Sequence, residues 1–124
     1  MKKILLFLLL SFVLSEKYFL TKKQGEEFEI KIEGNPTTGY NWYLENYLQL
    51  NDKVITPLNL NKNGLGKYIP SPNPQHVSGR GGIFVFKFKA NKASASVKLL
   101  KFIYKRGWAK NGIKELIYKV KIVE

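Results

Sequence analysis

The 124-residue chain has no cysteine, one histidine (His76), one aspartate (Asp52) and two arginines, Arg80 and Arg106. Each shortage closes a class of chemistry. Without cysteine there are no disulfides, no thiolate metal sites and no cysteine nucleophile. One histidine cannot build a multi-histidine metal centre. A Ser-His-Asp arrangement would have to use His76 with Asp52, and neither sits in anything resembling a nucleophile turn. The chain therefore reads as a non-enzyme without a cofactor.

The scarcity of arginine also qualifies the charge. Of 21 basic residues 19 are lysine, and the formal net charge is +12. Planar, bidentate phosphate recognition favours arginine, so this balance argues against nucleic acid as the partner and for solvated lysine faces. Ten Asn and ten Ile accompany the lysines, as a general compositional bias would produce. The competing reading of the same charge is a basic adhesion or polyanion-binding module.

What is abundant is aromatic. Eight Phe, seven Tyr and two Trp, within a hydrophobic content of 44%, supply enough apolar surface for a packed core and exclude a wholly disordered chain. The length fits one domain.

Residues 1 to 15 have the pattern of a secretory signal peptide: Lys2 and Lys3, then an apolar run from Ile4 to Leu14 broken only by Ser11, then Ser15. The run is far shorter than the roughly 20 residues that span a bilayer, so no stable membrane anchor is expected. Cleavage before Glu16 would leave residues 16–124 as a secreted or otherwise extracytoplasmic domain, with a vesicular or vacuolar lumen equally compatible. Lacking disulfides, such a domain has to hold itself together by packing alone.

From Phe28 onward the apolar period is two. Phe28, Ile30 and Ile32 alternate with Glu27, Glu29, Lys31 and Glu33, as in a half-buried strand. Tyr40, Trp42 and Leu44 share one side of an aromatic-rich segment running to Tyr47, and Trp42 reads as core. Val54 to Leu60 carries a weaker signal. Phe84, Phe86 and Phe88 line one face of Ile83 to Ala90, with Val85, Lys87 and Lys89 opposite. Val97 to Lys105 repeats the alternation, and Ile113 to Val123 sets Leu116, Tyr118, Val120 and Ile122 against Lys119 and Lys121. A further strand is expected near Tyr18 to Lys22. Gly34 to Gly39, Asn61 to Gly82 and Arg106 to Gly112 read as loops, and no amphipathic helix is evident. Together these features predict an all-β, immunoglobulin-like sandwich of about seven or eight strands, without the Cys, Trp, Cys framework of antibody domains.

The loops hold the distinctive residues. Asn35-Pro36-Thr37-Thr38-Gly39-Tyr40 combines a proline that fixes φ, a glycine that permits a left-handed turn and two stiff, branched hydroxyl side chains, which suits a rigid projecting tip. An ordinary Asn-Pro turn, with the threonine hydroxyls capping the backbone, is the plainer reading of the same residues. His76 follows the Pro-rich stretch Pro70 to Pro74 and is expected to be exposed.

Asn35 to Tyr40 also resembles, residue for residue, the Asn-Pro-Thr-Thr-Gly-Phe/Tyr signature of chagasin-type inhibitors of cysteine peptidases. Two further signatures appear in the family's order. Gly79-Arg80-Gly81-Gly82 is similar to its Gly-x-Gly-Gly loop, and Arg106-Gly107-Trp108 is similar to its Arg-Pro-Trp loop, with Gly107 in place of proline. The resemblance implies an immunoglobulin-like fold whose three loops gather at one end and wedge reversibly into the cleft of a papain-like, for instance cathepsin L-like, peptidase. It further implies that Thr37 and Thr38 approach the catalytic Cys and His, that Gly79 to Gly82 run along the cleft, and that Arg106 and Trp108 pack on its opposite wall. The inhibitor is expected to act as a monomer.

Overall fold

Residues 14–71 and 81–124 are described by a computed structural model of the chain. The signal segment up to position 13, His76, Gly79 and Arg80 lie outside the described residues. Eight strands form: β1 (Leu14–Lys23), β2 (Glu27–Gly34), β3 (Tyr40–Leu44), β4 (Ile55–Pro57), β5 (Lys67–Pro70), β6 (Gly82–Ala90), β7 (Lys98–Arg106) and β8 (Lys114–Val123), all but β5 in segments that the sequence alternation marks. No α-helix occurs among the described residues, only short 3-10 turns.

Two sheets form, one ordered β1-β8-β7-β3 and the other β2-β6-β4, with β5 also paired to β6. Their apolar faces meet. Phe28, Ile30 and Ile32 of β2 sit opposite Phe88, Phe86 and Phe84 of β6, and this layer packs on Trp42, Leu44, Leu100, Phe102, Val120 and Ile122 of the other sheet. Phe86 and Phe102 meet edge to face at 4.7 Å, joining the two layers at the centre of the core. The predicted all-β sandwich is thus what forms.

Several boundaries differ from the sequence reading, each for a local reason. β1 is longer than Tyr18 to Lys22 and pairs in parallel with β8, from Leu14↔Lys114 to Lys23↔Val123. Its first two residues belong to the predicted signal segment. β3 ends at Leu44 instead of reaching Tyr47, because the Asn46 amide takes over the ladder: its Nδ2 donates to the Leu99 carbonyl (2.9 Å) and its Oδ1 accepts from Lys101 N–H (3.0 Å). β4 is only three residues long, and Asn59 acts similarly on β6, donating to the Val85 carbonyl (3.1 Å) and accepting from Lys87 N–H (2.8 Å). β5 lies inside the segment read as one long loop. It is a short edge strand closed by Pro70, with Lys67, Ile69 and Pro70 all exposed, so it carries no inward-facing row to betray it.

This framework delivers three connections to one end of the sandwich. β2 ends at Gly34 opposite the start of β6 at Gly82, while β3 starts at Tyr40 opposite the end of β7 at Arg106. The strand ends that flank the β2–β3, β5–β6 and β7–β8 connections therefore share a pole.

Candidate functional site

The β2–β3 connection is a closed 3-10 turn over Pro36–Thr38. Asn35 caps it from an extended backbone (φ −140°, ψ 95°), its Oδ1 accepting from Thr37 N–H at 3.1 Å and from the Thr37 hydroxyl at 2.6 Å. The Thr38 hydroxyl donates to the Asn35 carbonyl at 2.8 Å. Backbone bonds from Thr38 N–H to the Asn35 carbonyl (3.3 Å) and from Gly39 N–H to the Pro36 carbonyl (2.9 Å) close the turn. Gly39 leaves it with φ 87°, a left-handed value that costs a residue with a Cβ about 1 kcal/mol or more. Both hydroxyl hydrogens are spent within the turn, yet Thr37 and Thr38 remain exposed. The plain turn chemistry and a projecting tip are thus the same structure.

The β7–β8 connection stands directly beside it. A Cβ placed on Gly39 would lie 3.8 Å from Arg106 Nε and 3.8 Å from Trp108 Cη2. The Arg106 guanidinium lies 4.9 Å from the Tyr40 ring centroid and 5.8 Å from that of Trp108, so it links the two connections through cation–π contacts. The turn itself is closed by Ala109 N–H on the Arg106 carbonyl (3.0 Å), and Lys105 Nζ donates to the Ala109 carbonyl (3.0 Å). Gly107, the departure from Arg-Pro-Trp, is not among the positive-φ glycines, so its backbone is on the side that proline also adopts.

The two tryptophans separate cleanly. Trp42 is 4% exposed and donates its indole N–H to the Glu33 carbonyl at 2.9 Å, as a core residue should. Trp108 is 79% exposed. An indole left in water forfeits the burial free energy it would gain in a core.

Of the third connection, between Pro70 and Gly82, Ser71 and Gly81 are described. Gly81 abuts the first loop, where a Cβ on it would come within 2.6 Å of the Gly34 carbonyl oxygen, whereas one on Gly82 would collide with the β5 backbone at Ile69 and Pro70. At both positions the chain's own neighbours already exclude a side chain.

Sequence reasoning did not single out Tyr104. Its hydroxyl accepts from Asn35 N–H at 3.4 Å, and its ring stacks on Tyr40 (5.3 Å) and meets Trp42 at 4.9 Å. It is the pillar under both loops. The signal was present as the last member of the inward row Leu100, Phe102, Tyr104, the only one with a polar end pointing the row toward the loops.

A cleft of about 610 Å³ opens beside the loop bases, between Gly34, Asn35, Tyr104 and the Gly81–Gly82 pair. Thr37, Thr38 and Trp108 line none of it. The exposed side chains of Thr37, Thr38 and Trp108 thus stand outside that cleft.

A capped turn, a glycine pair and an exposed tryptophan thus meet at one pole of a β-sandwich. Residues 21–122 match the Chagasin family peptidase inhibitor I42, and the chain belongs to that family, whose members are peptidase inhibitors and not enzymes. It is 28% identical to Amoebiasin-1 of Entamoeba histolytica over 92 residues, covering 74% of this chain and 76% of the relative. Among solved structures it resembles the cysteine protease inhibitor EhICP2 from Entamoeba histolytica, with a TM-score of 0.63, 21% identity and coverage of 89% and 93% of the two chains. It also resembles Leishmania mexicana ICP, with a TM-score of 0.53, 28% identity and coverage of 86% and 90%. PbICP-C, solved in complex with falcipain-2, gives a TM-score of 0.58 at 17% identity, covering 89% and 90%. These likenesses identify the sandwich as immunoglobulin-like.

Proposed function

We propose that this chain is a secreted, monomeric, reversible inhibitor of papain-like cysteine peptidases that enters the cleft with the tips built on Asn35–Tyr40, Gly79–Gly82 and Arg106–Trp108. The observation that carries the reading is the adjacency of Gly39 to Arg106 and to an exposed Trp108. The complex of PbICP-C with falcipain-2 is compatible with such a partner.

The physics of the first loop explains why such a tip resists cleavage. A peptidase attacks a carbonyl carbon presented by an extended peptide in near-attack geometry. Pro36–Thr38 is instead a closed turn, held by two backbone bonds and by the Asn35 cap, so extending it means breaking all of them. The branched side chains of Thr37 and Thr38 fill space at the thiol centre while the turn withholds its carbonyl carbons. Because the turn forms before binding, little ordering cost is left for association. Trp108, kept in place by Arg106, then supplies apolar area on one wall of the cleft.

Titration of residues 16–124 against papain and a cathepsin L-like enzyme is the test, with reversible, active-site-directed inhibition below micromolar concentration expected. No inhibition of either at micromolar concentration would overturn the proposal. Replacing Thr37 and Thr38 together by Asp should weaken inhibition without unfolding the domain, since both side chains are exposed. Equal inhibition by that variant would reject the threonine tip as the contact element.

A further inference from the structure

β3 and β7 run antiparallel in the register Leu44↔Phe102, Trp42↔Tyr104 and Tyr40↔Arg106, so by strand alternation these side chains share one face of the sheet. Along that face burial fades toward the loops. Leu44 and Phe102 are fully buried and Trp42 is buried, whereas Tyr104 and Tyr40 are half-buried and Arg106 is exposed. Contact nevertheless continues from step to step. Trp42 meets Tyr104 at 4.9 Å, Tyr104 stacks on Tyr40 at 5.3 Å, and the Arg106 guanidinium lies 4.9 Å from the Tyr40 centroid and 5.8 Å from that of Trp108. The result is an unbroken column from the core to the exposed indole. Arg106 is its one charged member, and among the described residues no ion pair includes Arg106.

We propose that Tyr40 and Arg106 are positioning residues that act on the peptidase only through Trp108: Tyr40 is the platform, the Arg106 guanidinium is the bridge, and the indole makes the contact. The proposal rests on the inhibitor reading above and divides the labour within its loops. It departs from the expectation that Arg106 itself packs on the cleft wall. Three features argue for it. Tyr40 and Arg106 are the last cross-strand pair of the β3–β7 ladder, so the sheet sets their spacing. A planar guanidinium has two faces and lies against two rings at once, which the compact ammonium of a lysine does not reproduce. Trp108, 79% exposed, has little burial of its own to hold it, and an indole steadied beforehand costs less to order when a partner closes on it. Because Tyr40 directly follows Gly39, the threonine turn and the indole stand on the same support.

The test is a double-mutant cycle, read in the inhibition of papain and a cathepsin L-like enzyme and in the time-resolved fluorescence anisotropy of the free domain. Arg106→Gln is made alone and together with Trp108→Ala, and Arg106→Lys, Tyr40→Leu and Tyr40→Phe complete the set. Trp42 is the only other tryptophan, so subtracting the emission of each Trp108→Ala counterpart leaves the signal of Trp108. Trp108→Ala should weaken inhibition about 30-fold. Arg106→Gln should weaken it about three- to tenfold, but less than about twofold further once Trp108 is gone. Arg106→Lys should fall with Arg106→Gln, because charge without a planar face does not bridge. Tyr40→Leu should fall likewise, and Tyr40→Phe, which keeps the ring, should restore most of that loss. In the free domain the fast, local part of the Trp108 decay should grow in Arg106→Gln. An equal loss from Arg106→Gln with and without Trp108 would mean direct contact with the enzyme and overturns the proposal. Full inhibition by Arg106→Lys, or unchanged indole motion in Arg106→Gln, does the same. Each of these leaves the inhibitor reading standing, whereas failure of the unaltered domain to inhibit either enzyme overturns both.

Discussion

Replacing Asn35 by Ala tests whether the closed turn is what a partner selects. The substitution deletes the acceptor of two bonds, Thr37 N–H at 3.1 Å and the Thr37 hydroxyl at 2.6 Å. Thr37 is exposed, so water replaces the lost acceptor and the cost is the capping contribution of about 1 kcal/mol, within a range of about 0.5 to 2. The backbone at position 35, at φ −140°, is open to alanine without strain. β2 and β3 keep their pairings, so global stability should drop by no more than about 1 to 2 kcal/mol. The main effect falls on the population of the closed turn. Since about 1.4 kcal/mol corresponds to tenfold, a loss of about 1 kcal/mol lowers the closed-to-open ratio of the turn about fivefold, and the inhibition constant should rise by up to the same factor. That loss should appear in the association rate, with dissociation nearly unchanged, because the bound turn is the same once formed. Asn35→Asp retains an acceptor oxygen and should recover most of the affinity. Progress-curve kinetics against papain, with urea unfolding as a check on the fold, provide the readout. An inhibition constant within about twofold of the unaltered protein would refute preorganisation by this cap.

Gly107→Pro should stabilise the domain by about 0.4 to 1 kcal/mol and tighten inhibition about 2- to 5-fold, provided that the Tyr43 hydroxyl, 3.3 Å from a Cβ at this position, gives way slightly; weaker inhibition would show that the turn needs the glycine. Phe102→Ala removes a fully buried ring that touches Phe86, Phe88 and Tyr118 and should cost about 3 to 5 kcal/mol in urea denaturation, much of a small domain's total. The Lys98 ammonium bonded to Asp52 at 2.6 Å, with the Val54 N–H, lowers the Asp52 pKa below its ordinary value. A carboxyl that is more acidic folded than unfolded contributes stability above its unfolded pKa and loses it as pH falls through the folded one. Asp52→Asn should therefore flatten the stability profile on the acid side of about pH 4, and an unchanged profile would deny the pair any role there.

The strands with a clean inward row were legible in the sequence: Phe28, Ile30 and Ile32, the row Phe84, Phe86 and Phe88, and Val120 with Ile122 are all buried where alternation puts them. What alternation cannot encode is a partner's direction, so the parallel pairing of β1 with β8 was not foreseeable. Nor can it reveal burial imposed from outside the sandwich. Tyr43 faces away from Trp42 and Leu44, yet it is only 8% exposed, being bridged to Leu65 and lying beneath the Lys105 ammonium near Gly107. At the candidate site the motif residues were readable because turn chemistry is local: proline, glycine and the asparagine cap act within five positions. The contribution of Tyr104 was not readable, since it acts on Asn35 across 69 positions.

The parallel run of β1 beside β8 also decides how the molecule can be handled. Leu14 lies level with Lys114 at the pole of the tips, whereas Lys23 lies level with Val123 at the far pole, one residue before Glu124. A fluorescent body or bead tethered through Glu124 would hang clear and leave the tips facing outward, while the same cargo fused ahead of Leu14 would crowd them.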